Sequence, residues 1–288
     1  MLRENVRDLK VVGEVKNCEY SKILKLEDGR IAKIISPFVL MLYMRAGASL
    51  ERKIMEADSI VGLDELYRPT SALYSNGMIT GYTMLENKGI NYNRYDELRT
   101  LRDRTDLYKY ASIHSQLESI VKRGHHQRNK IVFPDLATCD NIYLDKNDNV
   151  SLIDYDGLQV GSNISLSYST NLGDDSNYYN SKYRRGNLFT EEIDKTSLMM
   201  LFFLDVFNVN LKVIGTRNPV DGKIITLKDF FDIMEFRDER IIKKVEKVLS
   251  STEDGEYLED DLFRLADQYR LEAYPVSPRR CIKKLVRK

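Results

Sequence analysis

An Asp28-Gly29 pair set between two apolar runs, Ser21–Leu26 and Arg30–Ile35, narrows the fold more than any other feature of the chain. Asp-Gly flanked by apolar and β-branched residues is a strong short-range hairpin signal, so the chain has to open on antiparallel strands. Leu9–Val15 reads as a further strand before this hairpin, and Pro37 ends the run. A second turn signal, Ser75-Asn76-Gly77, joins Thr70–Tyr74 to Met78–Leu85. Between the two, from Val39 to about Val61, the pattern becomes helical, with Leu50, Ile54 and Val61 on one face. The opening order is strands, one helix, strands.

After a polar break at Glu86–Asn93 the character changes. Asp96–Arg123 is a long amphipathic helix carrying Leu98, Leu101, Ile113, Leu117, Ile120 and Val121, closed by Gly124. Short strands follow at Ile131–Phe133, Asn141–Leu144 and Val150–Ile153, with a turn at Lys146–Asn149. The stretch 158–190 is rich in Ser, Asn, Gly and Tyr and is too long for a mere connector. Helical patterns resume at Glu191–Phe207, Leu227–Phe236, Asp238–Leu249 and Tyr257–Tyr269. This divides the chain into a strand-rich unit, residues 1–86, and a larger helical unit, residues 87–288. A cleft between two such units is a natural ligand site.

Bulk properties exclude several functions. Lys+Arg and Asp+Glu balance at 44 each, so no global field recruits nucleic acid or an anionic membrane. Charge concentrates only in Arg279–Lys288, which holds six basic residues and reads as a solvated tail or a docking segment. Cys18, Cys139 and Cys281 form no CxxC pair, and His114, His125 and His126 have no zinc-ligand spacing with them, which points to a reducing compartment. MLRENVRDLK lacks the apolar stretch of a signal peptide, and Leu198–Leu204 falls far short of the ~20 residues of a membrane span. The expectation is a cytoplasmic protein without a membrane partner.

Chemistry concentrates in Phe133–Gly161, FPDLATCDNIYLDKNDNVSLIDYDGLQVG. Asp135 and Asn141 share a loop, a short hairpin follows, and Asp154 ends an apolar strand. A single Asp here would cap a turn. Three oxygen-bearing side chains in this order suit a hard cation such as Mg²⁺. Upstream, Lys33 interrupts the apolar strand Arg30–Ile35, a costly place for an ammonium unless it reaches water or a partner.

The segment resembles the catalytic and metal-binding loops of the protein kinase superfamily, whose signatures are H-R-D-L-x-x-x-N and D-F-G. The resemblance implies a two-lobed α+β fold, an antiparallel-sheet lobe and a helical lobe, with ATP and Mg²⁺ as cofactors. It makes Asp135 the base that takes the acceptor's hydroxyl proton, and Asn141 and Asp154 the magnesium ligands. Arg30-Ile31-Ala32-Lys33 is similar to the family's V-A-I-K strand, which would set Ala32 against the adenine and Lys33 on the phosphates. Glu51 and Glu56 are the candidate partners of Lys33; five residues apart, they lie ~140° apart on a helix, so one alone can face the cleft. Glu56 fits the family's spacing better. Gly13 and Val15 fall in the glycine-rich strand, Glu86 in the hinge at Leu85–Asn87, and Asp194 at the start of the buried helix that braces the catalytic loop. The implied reaction is phosphoryl transfer to a protein hydroxyl. A pseudokinase scaffold, or a small-molecule kinase of the aminoglycoside or choline type, would use the same fold.

The chain departs from the family at several points. One glycine, Gly13, stands where G-x-G-x-x-G is expected. Phe133-Pro134 replaces His-Arg before Asp135, which removes the arginine of activation-loop control. Five residues separate Asp135 from Asn141 where the family has four, so Asp140 competes with Asp135 as base unless a bulge at Ala137–Cys139 absorbs the extra residue. Asp154-Tyr155-Asp156 carries Asp in place of Gly, and no clear A-P-E follows.

Overall fold

The computed structural model describes residues 1–17, 20–92, 104–136, 140–165 and 184–207, with 239 and 243. Leu2–Asn5 (β1), Val11–Asn17 (β2), Ser21–Leu26 (β3), Arg30–Ile35 (β4), Pro69–Ser75 (β5) and Met78–Leu85 (β6) form a six-stranded sheet in the order β1-β5-β6-β4-β3-β2. Neighbours are antiparallel except at one edge, where β1 runs parallel to β5 with Leu2 opposite Ser71. The sheet is therefore mixed, a correction to the purely antiparallel sheet expected. Leu-Arg-Glu-Asn gives no alternation from which β1 could be read.

Both hairpins form where the turn signals stand. Asn76 and Gly77 have φ of 52° and 77°, the left-handed pair that matches the strands' twist in a two-residue turn. At the first hairpin Gly29 is left-handed, φ 83°, and its N–H donates to the Leu26 carbonyl at 3.2 Å. The helical stretch after β4 is two helices instead of one: Pro37–Arg45 (α1) and Leu50–Glu56 (α2). Ser36 and Ser49 cap their N-termini, accepting from Val39 N and Arg52 N. Pro37 sits in the first turn of α1, where its missing N–H costs nothing. The break follows from Gly47, which takes φ 76° just past the end of α1.

Alternation sends Ile31, Lys33 and Ile35 to one face of β4 and Ala32 and Ile34 to the other. The first face joins a continuous core with Val39 and Tyr43 of α1, Leu50 and Ile54 of α2, and Ile113, Ile142, Leu152 and Leu198 from the second half of the chain. The opposite face closes over a smaller core of Leu26, Ala32 and Leu73.

The second half packs Arg104–His125 (α3) against Glu192–Phe207 (α4). His114 joins them, with Nε2 2.8 Å from Asp205 Oδ2 and its ring edge-on to Phe202 at 5.5 Å. Ile90–Asn91 (β7), Ile142–Leu144 (β9) and Val150–Leu152 (β10) form a small antiparallel sheet, and Ile131–Val132 (β8) pairs with Gln159–Val160 (β11). Arg184–Arg185 (β12) and Leu188–Phe189 (β13) form a last hairpin. The halves are stitched together at β10, where Leu152 exchanges 2.8 Å backbone bonds with Glu65 and Tyr67. That contact fixes the strand that delivers Asp154.

No helix among the described residues is long and apolar enough to cross a membrane. The start of the long helix at 96–103, the bulge at 137–139, most of the 158–190 stretch, the three C-terminal helical patterns (apart from 239 and 243) and the basic tail lie outside the described residues.

Candidate functional site

Lys33 extends from the middle of β4 into the space between the sheet and the second half of the chain, and only 8% of it is exposed. A lysine so buried needs a counter-charge, and it has two. Its Nζ lies 2.7 Å from Asp156 Oδ1 and also contacts Asp154 Oδ1. Burial works against the Lys33 charge, but the two carboxylates outweigh it and hold the pKa above the ordinary lysine value.

The two carboxylates differ in setting. Asp156 is 1% exposed, and the oxygen that meets Lys33 also accepts from the Tyr82 hydroxyl. Burial opposes its charge, yet the attraction of Lys33 and the bonds from Lys33 and Tyr82 hold its carboxyl below the usual range. Asp154 goes the other way: burial and the neighbouring Asp156 charge raise it, despite Lys33. Asp154 also has left-handed backbone, φ 71°, uncommon for a residue other than glycine though tolerated best by Asp and Asn. Asp154 stands two residues past the end of β10, and its carboxylate meets Lys33 of the sheet.

Asp135, Asn141 and Asp154 line one small cavity, of about 10 Å³, with Phe133, Leu136, Leu152, Ile153, Gly157 and Leu158. This is about the space one water or one small cation needs. Gly157 marks how close the carboxylates lie: a Cβ there would sit 2.4 Å from Asp154 Oδ2 and 3.5 Å from Asp135 Oδ2. Among the described residues no group of three or more His, Cys, Asp or Glu could hold a metal. The oxygens at this cavity come from two carboxylates and an amide, donor chemistry that fits a hard cation when phosphate or water completes the shell.

The segment leading to Asp135 is held from behind. Asp194, fully buried in the first turn of α4, accepts the Phe133 N–H at 2.9 Å and has His125 Nε2 2.7 Å away. Burial raises its carboxyl, and the His125 contact opposes that. Gly124 allows the end of α3 to meet Phe133, since a Cβ would come within 2.6 Å of the Phe133 ring. That close approach is its role, for α3 runs on to His125.

Other expected residues stand elsewhere. Glu56 is not the partner of Lys33: its Oε2 accepts from Asn163 Nδ2 at 2.7 Å. Glu51 faces the β1–β5 edge, bonded to Arg3 and the Tyr74 hydroxyl. Ala32 cannot share a ligand face with Lys33, because adjacent strand residues point oppositely; it fills the small core with Leu26 and Leu73. Ile31 is the neighbour on the Lys33 face. Gly13 and Val15 lie on β2, exposed along its whole length, and no neighbour comes within 4 Å of a Cβ built at Gly13. Glu86 pairs with Lys25 at 2.8 Å. Asp140 is exposed and does not line the cavity; its carbonyl accepts from Asn91.

Three residues at this site were not anticipated: Tyr82, Asp156 and Lys53. Tyr82 stands directly opposite Lys33 in the β4–β6 register. Lys53, with 0% exposure, directs its Nζ to the carbonyls of Asp156 at 2.6 Å, Ile164 at 3.2 Å and Leu158. Burial pushes the Lys53 ammonium down to about 7, against the pull of Asp156 and Asp154. The signal for Lys53 was available, since positions 50, 53, 54 and 57 form one helical stripe. Compared with known protein families and with curated protein sequences, the chain matches none.

Proposed function

We propose that the chain is a divergent two-lobed kinase-like domain that transfers the γ-phosphoryl group of ATP to a protein hydroxyl. The observation that carries this reading is the convergence of Lys33, from the middle of a sheet strand, with Asp154, at the end of β10, beside a cavity that Asp135 and Asn141 also line. A strand lysine and three oxygen donors from two loops are the parts phosphoryl transfer needs for positioning and charge neutralisation. The bond from Asp194 to the backbone before Asp135 supports it further, since it ties that loop to α4.

In this reading Lys33 meets the phosphates, and Asn141 and Asp154 hold magnesium. Magnesium supplies positive charge against the phosphate oxygens. Asp154, whose carboxylate form burial and the Asp156 charge disfavour, would gain a counter-charge there. Asp135 accepts the proton of the attacking hydroxyl as that oxygen bonds to phosphorus and the bond to the ADP oxygen breaks. The cavity is too small for a nucleotide and has room for little more than a water or a small cation.

A second reading, a pseudokinase scaffold, draws on β2. Its single glycine sits in exposed strand with no close approach to make, so β2 lacks the glycines that let a backbone approach phosphates closely. A small-molecule kinase would need an acceptor pocket at Ile90–Tyr95 or 158–190, regions largely outside the described residues.

Transfer of label from γ-labelled ATP to a protein acceptor separates these readings. The proposal expects magnesium-dependent transfer that Asp154→Ala abolishes without loss of the fold. Transfer that survives Asp154→Ala removes the metal assignment, and no transfer from wild type to protein or small-molecule acceptors favours the scaffold.

A further inference from the structure

A buried lysine needs a counter-charge, and one that is to exchange a contact with a ligand keeps its place only through a partner that stays. The resemblance assigns that role to a helix glutamate, but Glu51 and Glu56 are bonded elsewhere. Asp156 stands behind Lys33 instead. Its Oδ1 accepts from Lys33 at 2.7 Å and from Tyr82, and these two donors sit directly across the β4–β6 ladder from one another. Its backbone is also fixed, because Lys53 of α2 donates to the Asp156 carbonyl at 2.6 Å. Lys53 Nζ lies within hydrogen-bond reach of the carbonyls of Asp156, Leu158 and Ile164.

We infer that Asp156 is the positioning residue for Lys33 and that Lys53 anchors it to α2. The link from helix to sheet then runs from Lys53 to the Asp156 backbone carbonyl, and from the Asp156 carboxylate to Lys33.

The contrast with Asp154 supports the assignment. The Asp154 side chain is 24% exposed and lines the cavity with Asp135 and Asn141, whereas Asp156 is buried and lines none of it. Lys33 can exchange its Asp154 contact for a phosphate oxygen while keeping Asp156. This consequence rests on the nucleotide reading; the holding of Lys33 does not.

Two double-mutant cycles test the inference. The first uses melting temperature without nucleotide, and Asp156→Asn keeps the side chain's shape and an oxygen for Tyr82. Removing the partner of a buried carboxylate is costly, so Lys33→Met should lower the melting temperature by about 5 °C or more in wild type. In the Asp156→Asn background it should lower it by less than about 2 °C. The same cycle with Glu56→Gln should be additive. Additivity with Asp156→Asn, or coupling with Glu56→Gln, overturns the inference.

The second cycle reads Mg-ATP affinity by calorimetry. Asp156→Asn should weaken binding about tenfold when Lys33 is present and less than twofold in the Lys33→Met background. Equal weakening in both backgrounds means that Asp156 acts only on the fold, and the positioning role falls. If melting shows the coupling while wild type binds no Mg-ATP, Asp156 still holds Lys33 and the nucleotide reading is what fails.

Discussion

At the residue scale the site depends on small spaces. Gly157 separates the Asp154 and Asp135 carboxylates, and a methyl group there would collide with Asp154 Oδ2. Gly157→Ala should therefore displace Asp154 and weaken Mg-ATP binding at least tenfold, while the melting temperature drops by only a few degrees, since a side-chain contact can shift where a backbone one cannot. Calorimetry and a melt on the same sample check both halves. The choice of base also belongs to this scale. Asp135 lines the cavity and Asp140 is exposed, so Asp135→Asn should cost roughly 10²–10⁴ in turnover, the range for a positioned acid–base group, and Asp140→Asn less than about tenfold. The reverse ranking in a transfer assay would shift the loop register by one residue.

At the element scale, α2 matters through a buried cation. Burial pushes the Lys53 ammonium down to about 7 from an ordinary 10.5. Between these values the unfolded chain carries the proton and the folded chain does not, so this residue's contribution to stability grows as pH rises through that window. Lys53→Met removes the contribution. Its melting temperature relative to wild type should fall steadily from about pH 7 to about pH 10. A difference that stays constant would mean that the three carbonyls keep Lys53 charged throughout. The elements themselves were largely legible. Strands β3, β4 and β6 fall where turn chemistry and alternation put them, because Asp28-Gly29 and Asn76-Gly77 fix both ends of each hairpin. The helix break was not, since Gly47 interrupts an apolar pattern whose period continues into α2.

At the scale of the whole molecule, the sequence pattern gave the α+β class and the residues that converge, and it failed on their pairing. Lys33 could be named because it interrupts an apolar strand, and Asp135, Asn141 and Asp154 because their order resembles the catalytic and metal-binding loops of the kinase family. Their partners could not. Asp156 and Tyr82 meet Lys33 through strand register and the path of a loop, which alternation along one strand does not reveal. Ala32 was misjudged for the opposite reason, since alternation along β4 alone already sets it on the face away from Lys33. Glu56 was preferred on spacing, while the helix presents Lys53 inward and Glu56 to Asn163.

The central proposal puts a nucleotide, held through a cation, beside Lys33 and the cavity lined by Asp135, Asn141 and Asp154. Its most direct test is an ATP titration of melting temperature on wild type and Asp154→Ala, with and without magnesium. The account predicts stabilisation of wild type of about 2.7 kcal/mol at a ligand concentration of 100 times Kd, present only with magnesium and absent in the variant. No shift in wild type, or an equal shift in both proteins, would contradict it.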